Sequence, residues 1–555
     1  MTGMNQAHGD ASDARVWGRS NRRPAGRSTV FAPRGAVATS HPLATGEGLR
    51  VLQEGGTAVD AAVTAAAVLA VVEPHMTGLG GDAFALLWSG HENELVGLDG
   101  HGRSGELMTR ERLEARGAAS VPEEGAEPVT VPGGVRAWAD LLERYGTIPF
   151  SRALAPAARL ARDGFPLSPV VASEWAERTE LLRGDSEARR IYLDADGGPL
   201  EAGTWITNPD LADALERLRS RGPDELYRGE LAQRIVEVVA DRGGFLTLDD
   251  MAAHRSRWVS PISAPFRGFR VWQLPPPGQG VAVLQMLRIL ETFPLDEMGV
   301  GTPEYLHHLI EAKKLAYADL ERYVGDPTFM GVTVEDLLAE GYVAHRRNAL
   351  DPKAAAEAPA AGSLPDRGDT VYLAAADESG NMVSFIHSIF HPFGSGLVVP
   401  GAGFHLQNRG AAFTMEPGTA NTVAPGKEPF HTIIPGFVTR EEGSGSGGRE
   451  PWLAFGVMGG PMQPQGQVQL LLNLVLGGMD LQEAVEAPRF RHDHGREVTI
   501  EPPLVQEVGP SLARLGHRVA PAPPGTVGGA QAVSRLERGW AAASESRKDG
   551  QAAGC

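Results

Sequence analysis

The chain has 555 residues, more than the roughly 250 to 300 that one hydrophobic core usually serves, so two lobes or two subunits are expected. Hydrophobic residues make up 42% and charged residues 22%, a balance typical of globular proteins. The net charge of −18 argues against a nucleic-acid or anionic-membrane partner, because such binding needs clustered Lys and Arg. The chain has one cysteine, Cys555, which excludes an internal disulfide framework or a thiolate metal cluster. Because it is the last residue, we expect it to lie in a disordered terminus.

The N-terminal segment, residues 1–28, is polar and lacks the apolar stretch of a secretory signal. We therefore expect a disordered leader and a cytoplasmic protein. The longest uncharged apolar run, Ala61–Val72, is shorter than the ~20 residues that cross a bilayer, so it is interpreted as part of a core helix.

The first regular elements are predicted from local patterns. Residues 30–40 read as a strand, followed by a helix that begins near Pro42. Thr57 and Asp60 have the spacing of a capping box and predict a helix over 58–73. A glycine-rich loop follows this helix and precedes a strand, the reverse of the order in nucleotide-binding motifs, so tight turns are the preferred interpretation.

The middle of the chain, from Val131 to about residue 350, is mainly helical in its periodicity. Residues 352–369 are rich in Ala, Pro and Gly and predict an exposed linker where chain cleavage is tolerated. Strands and helices alternate after the linker, and the last ten or so residues are expected to form a tail.

A β-hairpin is predicted directly after the linker. Strand-like runs over 370–376 and 382–388 flank the turn sequence at 377–381. Pairing about this turn places Thr370 opposite Ser388 on the same face of the ladder. The pair could orient a reactive hydroxyl, or it could be an ordinary cross-strand contact on a solvated sheet face.

A threonine can act as a nucleophile when it is N-terminal, because its own free α-amine then serves as the base. A cut between Asp369 and Thr370 would create such an end where the linker meets the hairpin. Gly459 and Gly460 end a later strand and could present backbone N–H groups to the oxyanion of a tetrahedral intermediate. Taken alone, a Gly-Gly pair is usually only a turn.

Four histidines, His387, His391, His405 and His431, raise the alternative of a metal site. Their spacing fits neither an HExxH helix nor a cysteine-assisted site, so we interpret most of them as ordinary hydrogen-bonded side chains. A Ser-His-Asp hydrolase is disfavoured because no Gly-x-Ser-x-Gly motif follows a strand.

Several segments resemble the γ-glutamyltransferase family, and they follow the family order from about residue 30 to 545. These are Val37-Ala-Thr-Ser-His-Pro-Leu43, Gly55-Gly-Thr-Ala-Val-Asp-Ala-Ala62, Val72-Glu-Pro-His-Met-Thr-Gly-Leu-Gly-Gly-Asp82, Val131-Pro-Gly-Gly134, Leu160-Ala-Arg-Asp-Gly-Phe165, Tyr317-Ala-Asp319, Gly325-Asp-Pro327, Gly368-Asp-Thr370, Phe393-Gly-Ser-Gly396, Pro429 to Pro435 and Gly459-Gly460.

The resemblance implies an α+β fold, a four-layer αββα sandwich of the N-terminal-nucleophile hydrolase type with a mainly helical large-subunit section. It also implies a zymogen that cuts itself between Asp369 and Thr370 into a heterodimer. The large subunit would span 29–369 and the small subunit 370–555. No metal and no cofactor are implied, and the partners are a small acyl donor and a water or amine acceptor.

Site residues are carried over by position. Thr370 matches the nucleophile, Gly459 and Gly460 the oxyanion hole, and Ser388 a family threonine that hydrogen-bonds the nucleophile. The resemblance also implies four residues that contact the substrate. His431 and Thr432 align with a family Ser-Ser pair, and Arg103 with a family arginine. Asn408 begins the segment that aligns with the family's acidic clamp.

Departures from the family pattern concern the substrate. The transpeptidases clamp the α-ammonium of a glutamyl donor with an Asp-Asp pair, where this chain has Asn408-Arg-Gly-Ala-Ala-Phe413. Val371 replaces a hydroxyl residue and Phe390 an Asn. The chain looks more like the acylase-like branch, in which Asn-Arg-Gly and Met458 to Gly466 recur.

The expected function is therefore self-processing amide cleavage or acyl transfer, of the glutathione hydrolase or acyltransferase type, through a Thr370 acyl-enzyme. The acyl donor carries a carboxylate, as γ-glutamyl, glutaryl and oxalyl groups do. Two alternatives stay open: a carbon–carbon bond hydrolase of secondary metabolism in the same family, and a binding homologue that never matures.

Overall fold

A computed structural model describes residues 26–357, 369–441 and 449–555, with Asp369 described by its backbone. Most of the expected leader and residues 358–368 of the expected linker lie outside the described residues. The strands, in chain order, are β1 Val30–Ala32, β2 Ala36–Thr39, β3 Asp82–Ser89, β4 Glu94–Gly100, β5 Phe165–Pro166, β6 Trp205–Ile206, β7 Arg257–Val259, β8 Ile262–Phe266, β9 Phe269–Gln273, β10 Asp369–Ala376, β11 Met382–Phe390, β12 Gly436–Glu441, β13 Arg449–Val457, β14 Phe490–His492, β15 Glu497–Ile500, β16 Arg518–Pro521, β17 Ala530–Arg535, β18 Trp540–Ser544 and β19 Gln551–Gly554.

Helices join and cover these strands. In chain order they are α1 Pro42–Gln53, α2 Ala58–Val72, α3 Arg110–Ala115, α4 Gly134–Tyr145, α5 Phe150–Ala153, α6 Ala155–Asp163, α7 Pro169–Ala176, α8 Thr179–Arg183, α9 Ser186–Tyr192, α10 Pro209–Arg221, α11 Asp224–Tyr227, α12 Glu230–Asp241, α13 Leu248–Ala253, α14 Gly280–Leu290, α15 Leu295–Met298, α16 Pro303–Tyr323, α17 Val334–Leu338, α18 Glu340–Asn348, α19 Met462–Val475, α20 Leu481–Glu486 and α21 Leu504–Arg514, with short 3₁₀ turns at Pro327–Phe329 and Arg409–Ala412.

Two seven-stranded antiparallel sheets form the centre of the fold. Sheet A has the order β1-β18-β17-β13-β12-β9-β8, and sheet B has the order β19-β2-β10-β11-β3-β4-β7. Smaller pairings link β14, β15 and β16 in one sheet and β5 with β6 in another. Each large sheet combines strands from before and after the linker, so the two parts of the chain fold together.

Side-chain alternation along β10 explains the layering. Val371 and Leu373 pack with α2 and α4 on the outer face of sheet B, whereas Tyr372 and Ala374 face sheet A. Phe455 on β13 packs outward against α14 and α19. Helices therefore cover both outer faces, which confirms the predicted four-layer αββα sandwich.

The predicted capping box at the start of α2 is confirmed. Thr57 and Asp60 form it, and Asp480 with Glu483 forms a second capping box at α20. The predicted strand over 30–40 is divided into β1 and β2, which join different sheets.

The expected C-terminal tail is a wrong prediction. Residues Gln551–Gly554 form β19, which pairs with β2 at the edge of sheet B. The carbonyl of Cys555 accepts hydrogen bonds from the backbone N–H groups of Arg34 and Gly35. The segment is poor in residues that favour strands, and its partner lies at the opposite end of the chain, so no local pattern indicated the pairing.

Within the described residues, no helix is both long enough and apolar enough to span a bilayer.

Candidate active site

Thr370 lies between the two sheets at the start of β10. The register of the hairpin is as predicted, with Val371 opposite His387, and a bulge separates Asp369 from Val371. The hydroxyl of Thr370 donates to Oγ of Ser388 over 3.3 Å. Both residues are buried, at 1% and 0% exposure, so the alternative of a pair on a solvated sheet face is wrong.

Gln463, in the first turn of α19, is a second partner of Thr370. Its Nε2 donates to the Thr370 Oγ over 3.3 Å. Its Oε1 accepts from the backbone N–H of Ile434 over 3.0 Å, which fixes the direction of the amide. The start of α19 is thereby held against the threonine hydroxyl.

Gly459 and Gly460 form the turn between β13 and α19. Their φ angles are 105° and 52°, in the region that disfavours side chains. Gln279 donates from Nε2 to the carbonyls of Gly460, at 2.8 Å, and Thr432, at 2.5 Å. The N-terminal end of a helix offers unpaired N–H groups and a partial positive charge, so this turn can stabilise an oxyanion.

Arg409 lies fully buried behind the Thr370–Ser388 pair. Its guanidinium donates to the Thr432 Oγ over 2.9 Å and to the Ser388 Oγ over 3.4 Å. The same group stacks over the ring of Phe390 at 4.1 Å. Burial lowers the pKa of Arg409 to about 9, and the carboxylate of Asp82 opposes this shift.

Asp82 and His431 form a buried pair beside this cation. His431 Nε2 is 3.2 Å from Asp82 Oδ2. The other carboxylate oxygen accepts from Gly133 N and Gln407 Nε2. Burial raises the pKa of Asp82 to about 6 and lowers that of His431 well below its usual value, so a neutral His431 secures the segment that carries Thr432.

A cleft of about 490 Å³ reaches Gly459 from the surface. His391, Arg178 and Arg491 line it with several acidic residues. Asn408 supports this wall, since its Oδ1 accepts from the backbone N–H of His391 over 3.1 Å. The amide nitrogen of Asn408 donates to the carbonyl of Glu123. Asn408 therefore shapes the cleft in this structure.

Arg103 lies at the surface, with 51% of its side chain exposed. Its guanidinium is 2.6 Å from Glu428 and donates to the carbonyl of Gly426. Glu428 also pairs with Arg257 and with His101, which is 2.5 Å from Asp99. Arg103 thus belongs to a charged cluster around a second cavity of about 330 Å³.

The four histidines have separate environments. His405 is buried between the rings of Tyr192 and Phe393, and within the described part of the chain neither of its ring nitrogens has a hydrogen-bond partner. It is a packing residue and an exception to the expectation that most of the four are hydrogen-bonded. The ligand-like cluster found among the described residues lies elsewhere, at His307, Glu311 and His517.

Sequence reasoning missed three residues that bind the site together: Arg409, Gln463 and Gln279. Arg409 and Gln463 lie in segments that resemble the acylase-like branch, and this was the available signal. Their roles depend on partners in other elements, which spacing along the chain does not reveal.

The sandwich of two antiparallel sheets between helical layers, with the candidate site between the sheets, is the α+β fold of the N-terminal-nucleophile hydrolases. The family model described as gamma-glutamyltranspeptidase matches residues 44–555. The chain belongs to the gamma-glutamyltranspeptidase family and is a hydrolase of that family.

Relatives cover most of the chain. A glutathione hydrolase-like YwrD proenzyme of Bacillus subtilis is 36% identical over 463 residues, which is 83% of this chain and 86% of the relative. An oxamate amidohydrolase proenzyme of Klebsiella pneumoniae is 36% identical over 469 residues, 83% and 86% of the two chains. The crystal structure of a cephalosporin acylase from Bacillus halodurans matches with a TM-score of 0.89 and 39% identity, over 97% of this chain and 99% of that one.

Proposed function

We propose that this protein is a self-processing amidohydrolase or acyltransferase in which Thr370 is the nucleophile. The observation that carries the proposal is the buried contact of the Thr370 hydroxyl with both Ser388 and Gln463 at 3.3 Å. A buried hydroxyl held by two polar side chains beside a helix N-terminus has the surroundings that acyl transfer needs. The proenzyme names of the two relatives support a maturation step.

Maturation would be an intramolecular acyl shift. The Thr370 oxygen attacks the carbonyl carbon of Asp369, the peptide C–N bond breaks, and an ester forms as the nitrogen gains a proton. Water then hydrolyses the ester and leaves a carboxylate on Asp369 and a free amine on Thr370. The products would be a large subunit ending at Asp369 and a small subunit of residues 370–555.

Turnover would use the same atoms. The new α-amine accepts the hydroxyl proton, and the Thr370 oxygen attacks the donor carbonyl. Backbone N–H groups at Gly459 and Gly460 face the developing oxyanion. The leaving amine takes the proton, and water or a second amine then removes the acyl group from the oxygen.

The donor is proposed to be an amide whose acyl part carries a carboxylate. The cationic Arg409 and the hydroxyl of Thr432 support this class, because a carboxylate accepts charge-assisted hydrogen bonds from such groups. The cleft at Gly459 offers space for the leaving group. The similar proteins include one named as an oxamate amidohydrolase and one named as a cephalosporin acylase, which supports an amide or acyl donor.

The test begins with Thr370→Ala and Thr370→Ser. Folded wild-type protein should give two bands on a denaturing gel, with Thr370 as a new N-terminus, and Thr370→Ser should do so more slowly. Thr370→Ala should stay one band and show no turnover. Thr328→Ala, at an exposed turn, is the matched control and should mature normally. A single uncut band for folded wild-type protein after prolonged incubation, or turnover by Thr370→Ala, would falsify the proposal.

Mass spectrometry identifies the acyl group. The mature protein is mixed with oxalyl, glutaryl and γ-glutamyl anilides and quenched within seconds. An added mass on the first residue of the small chain is expected, and the added mass names the acyl part. An added mass on any other residue contradicts Thr370 as the nucleophile.

A further inference from the structure

Arg409 is a buried cation without a carboxylate partner. Its exposure is 0%, its Nε has no hydrogen-bond partner in the described part of the chain, and none of the carboxylates described there forms an ion pair with it. Asp82 compensates the charge of Arg409 only through a longer-range Coulombic interaction. A buried charge that is only partly compensated is costly, so proteins usually pair one or keep it for a ligand. Arg409 lies beside the site, which favours a ligand.

The position of Arg409 limits the length of that ligand. One guanidinium nitrogen contacts the Ser388 hydroxyl, which in turn contacts the Thr370 hydroxyl. The cation is therefore at most two hydrogen-bond lengths from the proposed nucleophile. A short acyl chain spans most directly the distance from a carboxylate on Arg409 to a carbonyl in contact with Thr370.

The groups around Arg409 are closely packed, which favours a small acyl part. Phe390 closes one side of the guanidinium, and Thr432 and His431 are 4% and 0% exposed. Ala411 and Ala412 provide no anion for an ammonium group, and a nearby guanidinium would repel one. These features disfavour a γ-glutamyl donor.

Arg103 is the other cation that could bind the carboxylate of the donor. It is half exposed and already paired with Glu428 at 2.6 Å. Arg409 has a neighbouring hydroxyl in Thr432, and its Nε has no hydrogen-bond partner among the residues that the structure describes. A carboxylate gains more from an unpaired buried guanidinium than from one whose charge is already compensated.

We propose that Arg409, with Thr432, anchors the donor carboxylate, and that the preferred donors are amides of a short dicarboxylic acid, with about two or three carbons as in oxalyl and malonyl groups. This inference rests on the proposed function and names the substrate class of the same site. Arg409 is a specificity-determining residue in it.

The test compares wild-type, Arg409→Met and Arg409→Lys proteins on anilides with oxalyl, malonyl, glutaryl and acetyl groups. Wild-type kcat/KM should be highest for oxalyl or malonyl anilide. In Arg409→Met, the ratio of kcat/KM on these two donors to kcat/KM on acetyl anilide should fall by about 30-fold or more. Arg409→Lys should recover part of the loss, because it restores the charge without the planar fork.

Two further measurements distinguish loss of carboxylate binding from loss of maturation or of catalysis. Each variant is checked for maturation on a gel, and dicarboxylates from oxalate to glutarate are titrated in a thermal-shift assay, which needs no turnover. Short dicarboxylates should stabilise the wild-type protein and not Arg409→Met. Arg103→Gln is assayed in parallel, and it should keep the preference.

The inference is overturned if glutaryl anilide is the best donor, or if the preference for carboxylates survives in Arg409→Met and disappears in Arg103→Gln. In both cases Thr370 still acquires the acyl mass, so the proposed function stands. Failure of the proposed function looks different, because wild-type protein then neither matures nor becomes acylated.

Discussion

The side-chain amide of Gln463 donates a hydrogen bond to the hydroxyl of Thr370 across 93 positions of sequence. The bond joins helix α19 to strand β10, so it couples the turn at Gly459–Gly460 to the threonine. An amide N–H can stabilise a hydroxyl oxygen that is becoming negative without competing for its proton as a base.

Replacing Gln463 with Leu is expected to slow maturation and turnover. The variant keeps a similar volume and loses the donor to Thr370 and the acceptor for Ile434 N. Loss of one oriented donor should reduce the rate of chain cleavage about 10- to 100-fold. A time course on a denaturing gel measures this rate, and anilide hydrolysis measures kcat.

The matched control is Gln469→Leu, six residues further along α19. Gln469 bonds to the carbonyls of Gln465 and Phe490, away from Thr370. It should lower the thermal midpoint and leave the cleavage rate unchanged. Equal cleavage rates for Gln463→Leu and wild type would show that the contact has no part in the chemistry.

The hairpin shows how far the sequence could predict the site. Turn residues at 377–381 determined the register, which placed Thr370 beside Ser388 without any three-dimensional information. The same logic could not find Arg409 or Gln463. Both act through contacts between elements that are far apart in the chain, and local periodicity does not indicate such contacts.

The fold, like the site, could be predicted from the sequence only in part. The helix predicted over 58–73 from its capping box is found at Ala58–Val72, within one residue of the prediction. The order of strands in sheets A and B was not predicted from the residues, because long-range pairing depends on packing over the whole molecule. The four-layer αββα arrangement was inferred from the resemblance to the family.

The buried cluster around His101 predicts a pH dependence of stability. Burial alone lowers the pKa of His101, but Asp99 and Glu428 outweigh it and raise the pKa from 6.5 to about 10. Stabilisation from a raised histidine pKa is complete below pH 6.5 and is lost as the pH rises through 10. His101→Gln should therefore cost about 3 kcal/mol at pH 6 and little at pH 10.

The difference in thermal midpoint between wild type and His101→Gln, measured from pH 6 to 10, checks this. It should shrink steadily as the pH rises. His91→Gln, at an exposed turn, is the control and should show a small difference that does not vary. A constant difference for His101→Gln would mean that the histidine contributes through packing and not through its charge.

Removal of residues 551–555 is expected to destabilise the protein. The deletion removes β19 and leaves the edge of β2 unpaired, together with the bonds from Arg34 and Gly35 to the Cys555 carbonyl. At about 1 kcal/mol for each lost hydrogen bond, the free energy of unfolding should fall by about 2 to 4 kcal/mol. Chemical denaturation measures the change.

The control for this deletion is Cys555→Ser, which keeps every backbone bond of the strand. It should unfold at the wild-type denaturant concentration. If the deletion is as stable as Cys555→Ser, the pairing of β19 with β2 makes no contribution in solution.

The alternation of early and late strands in sheets A and B has a consequence for the timing of maturation. β2 pairs with β10 and β3 with β11, so Thr370 reaches its partners only after both halves of the chain have closed the sheets. The proposed cut would then act as a checkpoint, since a misassembled chain stays in one piece. After the cut, the ladders that brought the halves together would still hold them, and dilution alone would not separate the two polypeptides.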